Sequence, residues 1–161
     1  MKTMRVLMVC MGNICRSPMM EGWLRDAIER EPRLAGKVDV DSAGIGRWHI
    51  GQPPDSRTIR EAARHGVDIG SQRARQLKAS DFDDFDLILF ADAQTLADGR
   101  LRGSAQARAR TARYLDWAGV AGDPDLADPY QGDADDFSAV WARVAEGGEA
   151  IVKRLLREAA A

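Results

Sequence analysis

Residues 5–10 (RVLMVC) form a short apolar run with no alternation of polar and apolar positions. Such a run fits a strand buried on both faces, because neither side of it meets water. Helical spacing follows at once: Met19, Met20, Trp23, Leu24, Ala27 and Ile28 recur at intervals of three and four. Ser17 is placed to cap that helix, Pro18 to fill its first position and Pro32 to stop it. Residues 38–42 (VDVDS) predict a second short strand, and residues 43–56 (AGIGRWHIGQPPDS) carry too much Gly and Pro for anything but a loop. Asp55 or Ser56 can cap the next helix, whose apolar side runs through Ile59, Ala62 and Ala63 and whose end is marked by His65 and Gly66. Leu87–Phe90 (LILF) predicts a third buried strand, followed by an Ala-rich helical stretch. Residues 111–117 predict a fourth strand, interrupted by Arg113 and Asp116. The last helix is the longest: Phe137, Val140, Trp141, Val144, Gly148, Ile151, Val152 and Leu155 keep its period, with Gly147 and Gly148 expected to weaken or bend it.

Strands alternating with helices, without a hairpin signal, predict an α/β fold. The expected architecture is one domain over residues 1–161, with a central parallel four-stranded sheet flanked by helices on both faces. Ligands in such folds bind beyond the carboxyl ends of the strands, where a helix begins. Residues 10–18 lie there, which predicts an anion-binding loop between the first strand and the first helix.

Composition narrows the function. The 161 residues are 45% hydrophobic and 30% charged, with a net charge of -2, so a charge-driven nucleic-acid partner is disfavoured. Charge is patterned nonetheless: five arginines against one aspartate in residues 98–113, then six aspartates and no basic residue in 123–137. Both stretches read as solvated faces. No apolar run reaches the roughly 20 residues of a membrane span, and the start does not resemble a signal peptide. The cytoplasm is the expected compartment, with no membrane partner. The two cysteines, Cys10 and Cys15, cannot staple a domain of this size and lack nearby histidines for a metal. No cofactor or metal is expected, and thiol chemistry remains.

Five residues separate Cys10 from Arg16. A loop curling there can turn successive N–H groups inward as a nest for a tetrahedral dianion. Gly12 and Asn13 are residue types that tolerate left-handed geometry. Arg16 offers a planar fork for two phosphoryl oxygens. The same field would lower a Cys10 thiol from about 8.5 by one to several units, and Ser17 could donate a hydrogen bond to the thiolate. The bland alternative makes Cys10 and Cys15 core residues and Arg16 a solvated charge. Strand, loop, Ser, Pro and apolar helix in direct succession weigh against it.

A cysteine attacking a phosphate monoester needs an acid for the leaving oxygen and a base for the hydrolytic water. Asp128 stands out in residues 127–132 (ADPYQG), where Pro129 stiffens the loop and Tyr130 offers an aromatic. An ordinary Asp-Pro turn is the alternative at this point.

Residues 9–18 (VCMGNICRSP) and 128–130 (DPY), about 110 positions apart, together resemble the signatures of the low-molecular-weight protein tyrosine phosphatases. Residues 41–44, 51–55, 65–67 and 132–137 also sit where that family has similar stretches. The resemblance implies Cys10 as nucleophile, Arg16 as phosphate clamp and Asp128 as general acid. Met11, Gly12, Asn13, Ile14, Cys15 and Ser17 would complete the phosphate-binding loop. Asn13 would hold its strained turn with support from Ser17, Ser42 and His65. Trp48 and Tyr130 would wall a slot deep enough for phosphotyrosine and too deep for phosphoserine. Cys15 would pair with Cys10 in a reversible protective disulfide. Tyrosine-phosphorylated proteins, a bacterial tyrosine autokinase among them, are the implied partners. A monomer is expected, with weak self-association through Trp48 and Tyr130 open.

Departures refine this. Phosphoarginine-directed relatives resemble this loop but carry Thr where Ile14 stands, and related arsenate reductases use further cysteines that this chain lacks. Gln131 replaces a second aromatic, and residues 91–95 (ADAQT) differ from the commoner pattern without a functional account. A silent phosphotyrosine-binding module and a purely structural domain are the rivals from other classes.

Overall fold

The computed structural model describes residues 3–104 and 106–160. Strand β1 (Met4–Cys10) leads through the Cys10–Arg16 loop into α1 (Arg16–Glu29), then to β2 (Val38–Gly44) and α2 (Ser56–Arg64). A short α3 (Asp81–Asp84) precedes β3 (Leu87–Phe90), α4 (Ala93–Arg100), β4 (Arg110–Arg113), α5 (Tyr114–Ala118) and the long α6 (Ala134–Ala160). The sheet order is β2-β1-β3-β4 and every pairing is parallel. The expected α/β fold with a central four-stranded parallel sheet is therefore observed.

The uninterrupted apolar strands are explained by the layers they join. Val6, Met8, Cys10, Leu87 and Leu89 face a core built with α1, α5 and α6. Leu7, Val9, Ile88 and Phe90 face the other side, against Ile45, Leu77, Phe82 and Phe85. Alternate side chains thus serve two cores, and both must be apolar. Because β1 has β2 on one side and β3 on the other, the chain changes direction across the sheet at β1. The crevice beyond its carboxyl end is where ligands bind in such sheets.

Several sequence expectations need correction. Ser17 does not cap α1: the helix begins at Arg16, Cys15 is its N-cap without a side-chain cap bond, and Pro18 is its third residue. Proline is tolerated there because first-turn N–H groups have no helical acceptor. The helix ends at Glu29, before Pro32 acts. The fourth strand stops at Arg113, since Tyr114 turns into α5 and donates its hydroxyl to the Val144 carbonyl at 2.8 Å. Asp55, not Ser56, caps α2, accepting from the Arg57 N–H, and His65 and Gly66 do end it.

Helix α6 runs through Gly147 and Gly148 without interruption. These glycines serve contact. A Cβ on Gly148 would lie 2.2 Å from the Trp23 ring of α1, and one on Gly147 would lie 2.6 Å from the Tyr114 ring and 2.9 Å from Leu115. Tyr114 and Leu115 are fully buried and cannot retreat. Alanine is intrinsically better than glycine in a helix by about 1 kcal/mol, so Gly147→Ala separates propensity from packing. We expect net destabilisation of about 1–3 kcal/mol, read as a lower urea midpoint. An unchanged or raised midpoint would show that the α5–α6 contact tolerates the methyl group.

Candidate active site

Between β1 and α1 the chain turns through Asn13, whose φ of 58° is the one positive value among the described non-glycine residues. Gly12 does not share that geometry. It is small because the His49 ring edge lies 3.2 Å from where its Cβ would be. Gly44, at the end of β2, lets the loop backbone approach: a Cβ there would sit 3.0 Å from Asn13 N and Met11 O.

Hydrogen bonding decides which way the loop faces. The carbonyls of Cys10, Met11 and Ile14 accept from the N–H groups of Ile45, Gly46 and Asp55, at 3.0, 2.8 and 2.9 Å. Among the described residues, no N–H from Met11 to Cys15 donates to a protein acceptor. Carbonyls are engaged on the outside of the curl and donors are left over at a helix N-terminus, the arrangement that receives a tetrahedral anion.

Asn13 is fixed by buried polar partners. Its side-chain Nδ2 donates to Ser17 Oγ at 2.7 Å and to Ser42 Oγ at 3.0 Å, while its Oδ1 accepts from the Arg75 N–H at 3.0 Å. Ser42 passes its own proton to Glu21 Oε1 at 2.6 Å, and the other Glu21 oxygen meets Arg25 at 2.7 Å. Burial pushes the Glu21 carboxyl above its ordinary pKa, with Ser42 and Arg25 pulling the other way. Because Asn13 donates to Ser17, the Ser17 proton has two acceptors within reach, Cys10 Sγ at 3.1 Å and the Ala43 carbonyl at 3.5 Å, and the sulfur is the nearer. Ser17 and Ser42 thus both meet Asn13, and Glu21 and Arg75 join the same network without any signal in the sequence.

His65 is not part of this support. Its Nε2 lies 2.7 Å from Glu61, its ring stacks on Trp141 at 5.1 Å, and it makes no hydrogen bond to Asn13, Ser17 or Ser42. It sits at the far end of α2, whereas Glu21 on α1 reaches Asn13 through Ser42.

Arg16 is buried, not solvated. Its NH1 donates to Asp92 Oδ2 at 2.7 Å and to the Leu126 carbonyl at 2.9 Å, and its NH2 lies 3.8 Å from Asp128. Burial works against its charge, but Cys10, Asp92 and Asp128 outweigh that and raise its pKa further above the ordinary value. Asp92 is the main addition to the predicted set. Burial disfavours its charge, yet the Thr95 N–H and Arg16 hold its pKa below the usual carboxylate range. It also caps α4 in a reciprocal box with Thr95. An Asp immediately after a buried strand, with a hydroxyl three residues on, is the signal that could have found it.

Above the loop lies a slot of about 170 Å³. Cys10 and Arg16 line it together with Asp128, Trp48, Tyr130 and His49; Met11, Gly12, Ile14 and Cys15 complete the lining. Asp128 accepts from the Tyr130 N–H at 3.1 Å and is half exposed. Trp48 and Tyr130 are exposed, as ring walls open to a substrate must be. Trp48 folds over Gly46, where a Cβ would collide with its ring. His49 holds Gln52 Oε1 at 3.0 Å through Nδ1, and no spacing along the chain points to its place here. Cys15 is buried, and burial pushes its thiol up to about 12. Among the described residues no group of three or more His, Cys, Asp or Glu side chains is placed to hold a metal ion, and no helix is long and apolar enough to cross a membrane.

Comparison with known proteins converges on the same features. Residues 5–161 match the profile of the low molecular weight phosphotyrosine protein phosphatases. The chain is 37% identical to the low molecular weight protein-tyrosine-phosphatase YfkJ of Bacillus subtilis, covering 95% of this chain and 96% of that one. The YfkJ crystal structure superposes with a TM-score of 0.88 over 98% of both chains. Vibrio vulnificus Wzb in complex with benzylphosphonate is similar at 28% identity and a TM-score of 0.81, over 94% of this chain and 98% of that one. A Drosophila arginine phosphatase, DARP, gives 28% and 0.87, over 94% and 98%. A family profile matched over residues 5–161 and 37% identity over nearly the whole chain have one explanation: the chain belongs to the low molecular weight phosphotyrosine protein phosphatase family.

Proposed function

We propose that this protein hydrolyses phosphotyrosine monoesters on proteins through a phosphocysteine at Cys10. The observation that carries the reading is the placement of Cys10, a buried Arg16 and Asp128 on one slot, above a loop with unspent N–H donors. The loop and Arg16 bind the phosphoryl oxygens, and the Cys10 thiolate attacks phosphorus opposite the ester oxygen. That oxygen leaves with the bonding pair and takes a proton from Asp128, releasing a phenol. Asp128, now a carboxylate, removes a proton from the water that attacks the phosphocysteine. Inorganic phosphate forms and the sulfur departs as a thiolate, received by the Ser17 hydroxyl.

Trp48 and Tyr130 favour an aromatic substrate with a long reach, which supports phosphotyrosine over phosphoserine. The likeness to an arginine phosphatase extends to the fold, and Ile14 at the loop supports the tyrosine reading over that one. Tyrosine-phosphorylated proteins in the cytoplasm, with a bacterial tyrosine autokinase as a candidate, are the proposed substrates.

Three experiments test the assignment. Arg16→Lys keeps the charge and loses the fork, so kcat on para-nitrophenyl phosphate should fall about a hundredfold or more in a folded protein. Activity within a fewfold of wild type would place the clamp elsewhere.

For Asp128→Asn, the burst of phenol release from phosphotyrosine should drop by about 10²–10⁴-fold, and less for an aryl phosphate whose phenol is already acidic. Asp133→Asn should be nearly silent. Equal losses on good and poor leaving groups would remove Asp128 from the role.

Peroxide should oxidise the Cys10 thiolate to a sulfenic acid. The Cys15 thiolate then attacks that sulfur and expels hydroxide, closing a disulfide that thiol reductant reopens. With the Cys15 thiol pushed up to about 12 by burial, its reactive fraction at neutral pH is small. Closure should therefore accelerate by about tenfold per pH unit from neutral to mildly alkaline solution. Cys15→Ser should lose activity irreversibly; full recovery of that variant by reductant, or pH-independent closure in wild type, would argue against the pairing.

A further inference from the structure

The slot continues beyond its own walls. Ile14, His49 and Tyr130 also border a second, open groove of about 520 Å³, whose remaining apolar surface comes from Pro53, Pro54 and Ile59. A phosphotyrosine seated over Cys10 remains attached to its own main chain. On one side of the tyrosine, that chain must cross the edge the two cavities share.

The charge of the groove is already spent. Arg57 Nε and NH2 donate to the two Asp55 oxygens at 3.0 and 2.9 Å. Its remaining donors hold the Tyr130 carbonyl at 3.0 Å and the Gly132 carbonyl at 3.2 Å. Arg57 thus fixes the loop that carries Tyr130, and Asp55 cancels its charge. An acidic or basic substrate side chain entering the groove would be desolvated without gaining an opposite charge that is not already paired. An apolar one would cover Pro53, Pro54, Ile59 and the face of Tyr130.

We propose that this groove receives the residues flanking phosphotyrosine in a protein substrate and selects an apolar side chain on one flank, over an acidic or basic one. The inference rests on the phosphotyrosine reading above, and the test separates the two.

The substrates are para-nitrophenyl phosphate, which fills the slot without reaching the groove, and phosphotyrosine peptides in a Gly-Ser background. In the peptides, Leu, Glu or Lys is placed at each of the three positions on either side. One flank should show a Leu preference in kcat/KM of about tenfold over Gly, Glu and Lys, the discrimination expected of a small apolar contact. The variants Pro53→Glu and Ser56→Glu put a carboxylate into the groove. Ser56 is the exposed first residue of α2, where an acidic side chain suits the helix. Both variants should abolish the Leu preference while turning over para-nitrophenyl phosphate within about twofold of wild type, a change too small to signal a lost catalytic interaction.

Flat peptide profiles, a preference for Glu or Lys, or an undiminished Leu preference in both variants would overturn the groove proposal. In each of those cases para-nitrophenyl phosphate turnover would leave the phosphatase reading standing. Failure to hydrolyse either para-nitrophenyl phosphate or any phosphotyrosine peptide would overturn that reading and the inference with it.

Discussion

A left-handed turn at Asn13 governs the geometry on which the candidate chemistry depends. With φ at 58°, the backbone reverses between β1 and α1 tightly enough to leave a row of N–H groups without protein partners. Asparagine tolerates that conformation better than other side-chain-bearing residues, though at a cost of order 1–3 kcal/mol that surrounding structure must offset. The offset is visible: Ser17, Ser42 and the Arg75 N–H satisfy the amide of Asn13, and Glu21 closes the network from behind. Every member is at least partly buried, so losing one would leave polar groups unpaired in a low-dielectric region. The same network sets the Ser17 hydroxyl 3.1 Å from Cys10 Sγ. Backbone strain in the loop and the polar contact to the Cys10 sulfur are thus coupled through one asparagine.

Arg16 raises the opposite problem, a cation kept out of water. A buried guanidinium is tolerable only with charge and hydrogen-bond partners, and Asp92 and the Leu126 carbonyl supply them on one nitrogen. The other terminal nitrogen is left toward the slot and Asp128. Asp92 therefore holds Arg16 in place, while its capping box with Thr95 ties that position to the start of α4. Within residues 91–95, Thr95 supplies the hydroxyl that returns a bond to the cap.

The sheet explains why these parts converge. β1 carries Cys10 at its carboxyl end, and β3 ends beside it, one residue before Ala91 and two before Asp92. The connection after β2 brings Trp48 and His49 over the loop, and the segment before α6 brings Asp128 and Tyr130 from the other side. Four separate segments meet at one crevice because parallel strands all deliver their loops to the same edge.

The apolar runs of β1 and β3, the Cys10–Arg16 spacing and the two signature segments were legible in the sequence, because each is a local pattern with a local cause. A strand covered on both faces has to be apolar throughout, and an anion loop needs its nucleophile and arginine at a fixed separation. Tertiary structure alone decided the rest. Ser17 looks like a helix cap from its neighbours, but a buried asparagine and a thiol claim its hydroxyl first. Gly147 and Gly148 look like helix breakers, but Tyr114 and Trp23 occupy the space their side chains would take. His65 shares a stretch with the family but points to Glu61 and Trp141, and Glu21, Arg75 and Asp92 take supporting roles from positions 21, 62 and 76 residues away from their partners Ser42, Asn13 and Arg16. Contacts across such separations leave no period or spacing in the chain, and they exist only once the sheet has brought the segments together.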